Sequence, residues 1–334
     1  MLRSPPYKTV LKPYGTALAS LAERREDVVC LGADLTRQTE TDLFRDRFPD
    51  RFFNAGMAEA NLMGIAAGLA RAGLVPFVNT FGVFCTRRPY DQVAMSIAYP
   101  NLRVRLVGFM PGLSSPGGPS HQAIDDVALM RTLPNMTVID IGDAAETQQV
   151  VEEVADVDGP VYIRLKRGEI PEVLDDTYRF RLDRATVVRP GAEVVVVASG
   201  MMLPSAIKAA EAAAAEVDVT VVYCPVIKPL DAGTILGAIG RANGVITAEN
   251  HSVVGGLGTA VAELMAEHAM AVPLRRVGVQ DRFAESGSRP YLFSEYGLSS
   301  SELLHRIWEI TKRSSPVPAV TEVDSEVEGS FEPV

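Results

Sequence analysis

Glu59 opens the stretch best suited to chemistry. It stands in FNAGMAEANLMGIAAGLA, three residues after Gly56, at the start of an apolar helical run. Its neighbours Met57, Ala58, Ala60, Leu62 and Met63 are apolar or small, so its carboxyl is expected in a dry place. Two rings, Phe81 and Phe84, follow Thr80 just past the next apolar run. An acid beside a pair of aromatic faces suits a flat, weakly basic ring that must be stacked and given a proton contact. The ordinary alternatives are a first-turn acid favoured by the helix dipole and two core phenylalanines.

Three further places carry candidate residues. His121 lies in SSPGGPSHQ, a Gly/Pro-rich loop between a strand and a helix. Loops at strand C-termini are where α/β proteins place ligands, and an imidazole there can take and return protons. The alternative is a helix cap at Ser120 with His121 merely exposed. Asp34, in GADLTRQT, ends the first strand and could order a ligand site or simply form a turn. Arg167, in RLKRGEIP, offers a guanidinium fork for a phosphate or sulfonate, unless it is an ordinary solvated arginine. Arg37 and Gln38 could add to such an anion site.

The bulk properties exclude several classes. The net charge of -10 opposes nucleic acid or an anionic membrane as the main partner. No apolar run reaches the roughly 18 residues of a membrane span. MLRSPPYKTV lacks the apolar core of a signal peptide. Cys30, Cys85 and Cys224 lie far apart, fitting neither a disulfide framework nor a metal knuckle, so a reducing, cytoplasmic setting is expected. The four histidines, His121, His251, His268 and His305, show no metal-ligand spacing, and no metal site is expected in this chain.

Short β-branched runs alternate with Ala/Leu-rich stretches, which indicates βαβ units around parallel sheets. Strands are predicted near 27–32, 74–78, 103–108, 136–141 and 160–164, and helices near 7–24, 57–71, 86–98, 124–133 and 144–156. A polar, Pro-containing stretch at 167–190 reads as a linker with one hairpin strand. The alternation then restarts, with strands near 193–198, 217–223, 244–248 and 273–277 and helices near 203–215, 231–240, 257–269 and 299–312. The fold class is therefore α/β with two domains, each a mostly parallel sheet flanked by helices. The expected boundaries are 1–175, a linker at 176–188, a second domain at 189–313 and a mobile acidic tail at 314–334.

Most of the chain resembles the transketolase family of thiamine diphosphate enzymes. The resemblance rests on the Phe53–Phe84 block, on GPSHQ against the family's GPTHQ, on GADL against SADL, and on ENHSVVGGLG in the second half. It implies a pyrimidine-binding domain followed by a transketolase C-terminal domain. Glu59 would bond the aminopyrimidine, Phe81 and Phe84 would enclose it, and Asp34 would order the cofactor site. His121 would handle protons at the substrate, and Arg167, with Arg37 and Gln38, would hold its anionic end. Arg87 stands where many transketolases carry a cofactor-site tyrosine, and RRPYDQV is closer to the matching run of 1-deoxyxylulose-5-phosphate synthase. Phe109 and Gly117 replace a His and an Asp that contact donor hydroxyls in the family.

The family's diphosphate grip, GDG with a downstream Asn holding Mg²⁺, is missing; Ile141-Gly142-Asp143-Ala144 is the nearest string. The resemblance thus implies a split transferase. An N-terminal subunit would hold Mg²⁺ and the diphosphate, thiamine diphosphate would be shared, and the assembly would be an α2β2 heterotetramer acting on sugar phosphates. The ENH…GGLG glycines do not match GxGxxG and are read as structural and dimer-contact residues. Two enzymatic alternatives stay open: the β-subunit of a 2-oxo-acid dehydrogenase and a 1-deoxyxylulose-5-phosphate synthase-like enzyme. A third is a non-catalytic interaction subunit.

Overall fold

The computed structural model describes residues 1–323. Its strands are β1 Thr9–Leu11, β2 Val28–Gly32, β3 Phe52–Asn54, β4 Val75–Phe81, β5 Arg105–Phe109, β6 Thr137–Asp140 and β7 Val161–Leu165, then β8 Glu169–Pro171, β9 Thr186–Arg189, β10 Val194–Ala198, β11 Val219–Tyr223, β12 Val226–Lys228, β13 Gly244–Ser252 and β14 Leu274–Val279. Among the described residues these form a seven-stranded sheet ordered β12-β6-β7-β5-β4-β2-β3, a five-stranded sheet ordered β14-β13-β10-β11-β9 and the two-stranded pair β1-β8. The two large sheets are parallel apart from one edge strand each: β12 runs against β6, and β9 against β11. The buried runs VVCLG of β2 and VVVVA of β10 are apolar throughout because helices cover both faces of a parallel sheet.

Parallel strands end on the same edge. β3, β2, β4, β5 and β7 are level there: Gly32 pairs with Asn54 and Asn79, Phe81 with Phe109, and Phe109 with Leu165. The segments carrying Asp34, Glu59, Phe84, His121 and Arg167 all follow these ends, so topology gathers them on one rim.

Several predicted elements change. The helix expected over 7–24 is Pro13–Arg24, because Pro13 suits a first turn; the residues before it form β1, which pairs with β8. The helix expected over 86–98 breaks into Gly82–Thr86, Tyr90–Gln92 and a π-helical turn at Val93–Ala98. Pro89, which lacks a donor, lies at the break. The expected linker is packed: Tyr178 and Phe180 are buried, and β9 begins within it. β12, from the second half of the chain, completes the first sheet. The start of the expected mobile tail is also docked. Trp308 Nε1 donates to the Ser315 carbonyl, and Glu322 accepts from the Ser300 and Ser301 amides at the N-terminus of the helix Ser300–Thr311. Residues 324–334 of that tail lie outside the described residues.

Glu146 is wholly buried and accepts hydrogen bonds from the hydroxyls of Tyr178 and Tyr223. Burial dominates and pushes its carboxyl from 4.5 up to about 8. Glu249 is raised in the same way to about 7. Between the ordinary and the raised values the folded chain keeps a proton that the unfolded chain has lost. Stability from this source is full below the ordinary value and is lost as pH rises through the raised one. Urea titrations at pH 5 to about 8 are expected to show falling stability. Glu146→Gln should flatten that slope, and an unchanged slope would contradict the assignment.

Candidate active site

Glu59 is the first residue of the helix Glu59–Arg71, with 6% of its surface exposed. It is not alone there: Nη1 of Arg88 donates to its Oε1 at 2.7 Å. The guanidinium carbon of Arg88 lies 4.0 Å from the centroid of the Phe84 ring. Phe81 and Phe84 stack with centroids 6.0 Å apart and planes 25° apart. The His121 ring meets the edge of this pair, 5.2 Å from Phe84 and 6.4 Å from Phe81. Glu59, both phenylalanines and His121 therefore form one constellation, with Arg88 inside it.

Arg87 sits elsewhere. Its Nε donates to both oxygens of Asp125 at 2.9 Å, and Nη2 reaches the Gln122 carbonyl at 3.4 Å. The bidentate partner turns it toward the His121 loop. Arg88 was not singled out in the sequence, and only tertiary pairing separates the two adjacent arginines. Asp34 is exposed, with a left-handed backbone at φ 60°, and its amide donates to Asn54 Oδ1. Arg37 is exposed, and Gln38 and Arg167 are half-buried. They share the rim, but among the described residues no hydrogen bond or ion pair joins them to the Glu59 constellation.

The loop carrying His121 is braced by the second half of the chain. Asn250 Oδ1 accepts from the Leu113 amide and its Nδ2 donates to the Pro111 carbonyl. Gln122 Nε2 donates to the Glu285 carbonyl, and the Ser252 amide donates to the Ile124 carbonyl. Gly112, at φ 55°, lies so close to Asn250 that a Cβ would fall 2.2 Å from its carbonyl oxygen. The ENH block is thus a brace: Glu249 accepts from the Leu257 and Gly258 amides at a helix N-terminus, and Asn250 ties down the loop. His251 is buried and pushed down to about 4 by desolvation; its Nδ1 donates to the Ser252 carbonyl.

Beneath the loop, Arg164 is fully buried between Asp126 at 2.8 Å and Asp140 at 3.1 Å. It also donates to the Asn250 carbonyl, and Ser199 donates to Asp140. This charged core spans both sheets and was not legible in the sequence.

At the two departures from the family pattern, neither residue offers a polar group. Phe109 is fully buried and meets Tyr14 edge-on at 5.4 Å. Gly117 lies against His121, whose Cβ and Cγ would be 3.1 Å from an added Cβ.

The Glu59–Phe84 place fits the pyrimidine end of thiamine diphosphate, since Arg88 shows that it accepts a flat group with an N–H edge. Among the described residues no group of three His, Cys, Asp or Glu side chains is placed to hold a metal ion. A partly open pocket lies elsewhere, lined by Lys166, Ile170, Met201, Arg289 and Phe293 among others. Among the described residues no helix is long and apolar enough to cross a membrane.

Comparison with known proteins identifies the family. The transketolase pyrimidine-binding domain family matches residues 8–172, and the transketolase C-terminal domain family matches 183–303. The transketolase family protein y4mN of Sinorhizobium fredii is 45% identical over 89% of this chain and 87% of its own. The 6-deoxy-6-sulfo-D-fructose transketolase subunit SqwH of a Clostridium species is 38% identical over 90% of this chain and 94% of its own. A subunit of the apulose-4-phosphate transketolase of Actinobacillus succinogenes is 34% identical over 83% of this chain and 90% of its own. Among solved structures, a split gene transketolase, described as an inactive beta4 tetramer, superposes with TM-score 0.84 at 42% identity, over 90% of this chain and 97% of that one. The chain belongs to the transketolase family of transferases, as the section that carries the family's pyrimidine-binding and C-terminal domains.

Proposed function

We propose that the chain is the C-terminal subunit of a split transketolase that moves a two-carbon ketol unit between sugar phosphates or sulfonated sugars. The observation that carries this reading is the Glu59–Phe81–Phe84–His121 constellation, in a chain similar over most of its length to relatives named as transketolase subunits. An N-terminal subunit would supply the diphosphate grip and Mg²⁺, in an α2β2 assembly. Phe53, Met57, Met95 and Tyr99, on segments flanking Glu59 and Arg88 in the chain, are exposed apolar side chains suited to burial by another chain.

Each residue has a defined task in this reading. Glu59 holds the proton contact at the edge of the pyrimidine, from a position largely shielded from water. Phe81 and Phe84 fix the ring's plane. Nδ1 of His121 is engaged by Ser120 Oγ at 2.9 Å, which leaves Nε2 to exchange protons with substrate oxygens. Arg167 and Arg37, aided by Gln38, meet the anionic end, and Asp34 orders the rim. Thiamine diphosphate, once bound, supplies the carbanion chemistry. The GPSHQ loop, which sets His121 beside Phe84, favours this reading over a 2-oxo-acid dehydrogenase subunit.

The donor departs from an ordinary ketose. Phe109 and Gly117 remove two hydrogen-bond partners for donor hydroxyls, so a branched ketose, whose hydroxyls are rearranged, loses less here; a sulfonated ketose differs instead at the anionic end, where Arg37 and Arg167 would meet it. The reconstituted pair is expected to show higher kcat/KM with 6-deoxy-6-sulfofructose or apulose 4-phosphate than with xylulose 5-phosphate. Ordinary rates with xylulose 5-phosphate and ribose 5-phosphate, and none with modified ketoses, would contradict this donor assignment.

A further inference from the structure

We propose that Arg88 is a placeholder for the coenzyme's aminopyrimidine, which must displace it to bind. The proposal rests on the reading of Glu59 and Phe84 given above. A guanidinium and an aminopyrimidine share the features this place selects: both are flat and delocalised, and both present N–H groups along one edge. Arg88 uses both features at once. Its guanidinium carbon lies 4.0 Å from the centroid of the Phe84 ring, and its Nη1 bonds Glu59 Oε1 at 2.7 Å. A second flat group cannot stack on that face and bond that oxygen while Arg88 remains.

The arrangement has a physical reason. Glu59 is nearly buried, and a buried carboxylate without a partner is costly. Arg88 supplies the missing charge and donor. It can also leave cheaply, since its side chain is 54% exposed and its head can swing into water without repacking the core. The neighbouring Arg87 lacks that freedom, because Asp125 holds it by paired hydrogen bonds. The two adjacent arginines thus divide the work: Arg87 fastens the His121 loop, and Arg88 guards the acid and yields to the ring. Coenzyme entry then carries a barrier set by the Arg88–Glu59 pair, and salt that screens the pair should speed entry.

The test uses the chain assembled with its N-terminal subunit and follows thiamine diphosphate association with Mg²⁺ by stopped flow and calorimetry. Arg88→Ala is expected to raise the association rate and the affinity about tenfold, and Arg88→Gln should do the same. Arg88→Lys keeps the charge but loses the flat face, and should fall between these and the native chain. Slower, weaker or unchanged association in Arg88→Ala and Arg88→Gln would overturn the proposal. Glu59→Gln separates it from the reading it rests on. If the Glu59→Gln pair keeps full turnover, that reading falls. If it loses turnover while Arg88→Ala binds coenzyme no faster, only the placeholder falls.

Discussion

Glu59→Gln in the assembled enzyme is expected to lower kcat by roughly 10²–10⁴-fold, the usual scale for losing a positioned proton-transfer group. The amide matches the carboxylate in size, so the helix Glu59–Arg71 and its packing against β4 should persist. It cannot exchange a proton, so the ring would stack on Phe84 but lack its activating contact. Coenzyme affinity should therefore fall far less than kcat. The partner left behind is Arg88, which is half exposed and can hydrate. Thermal unfolding should thus barely move, separating a chemical loss from a folding loss. Steady-state rates, coenzyme titration and melting curves on the same preparation check all three. Unchanged turnover would favour a non-catalytic interaction subunit.

Arg164→Met is expected to destabilise the chain by about 3–5 kcal/mol, the usual result of removing one member of a buried ion pair. Arg164 is fully buried and faces two carboxylates. Asp140 is pushed up by burial even with Arg164 beside it. Methionine fills similar volume but leaves Asp126 and Asp140 facing each other without a cation. Asp126 would keep its bond from the Tyr162 hydroxyl, and Asp140 its bond from Ser199, which is too little to offset two buried charges. Adding Asp126→Asn should recover part of the loss by removing one charge. Because the core lies beneath the His121 loop and touches Asn250, loosening of that loop should accompany the loss. Urea unfolding measures the first effect, and hydrogen exchange of the Leu113 amide, bonded to Asn250, measures the second.

The fold was legible because the strands of both sheets are short, apolar and β-branched between helical stretches. β2, β5, β7, β10 and β11 fall within a few residues of their predicted places. Residues whose structure depends on distant partners were not. β1 and β8 are three-residue strands that exist by pairing with each other. β12 is a three-residue run that leaves its own half of the chain for β6. Glu59, Phe81, Phe84 and His121 could be picked out because each stands at the end of a readable element, and parallel topology brings such ends together. Arg88 was missed because side-chain direction, not spacing, sets it apart from Arg87. Arg164 was missed because an arginine inside a strand reads as solvent-facing until the domain packed over it is known.

Titration of thiamine diphosphate with Mg²⁺ into this chain alone, and then into the chain mixed with a transketolase N-terminal subunit, tests most directly whether one site is shared between two polypeptides. The expected result is no saturable binding to the isolated chain, and one coenzyme per pair once the subunits are combined. Tight stoichiometric binding to the isolated chain would contradict it.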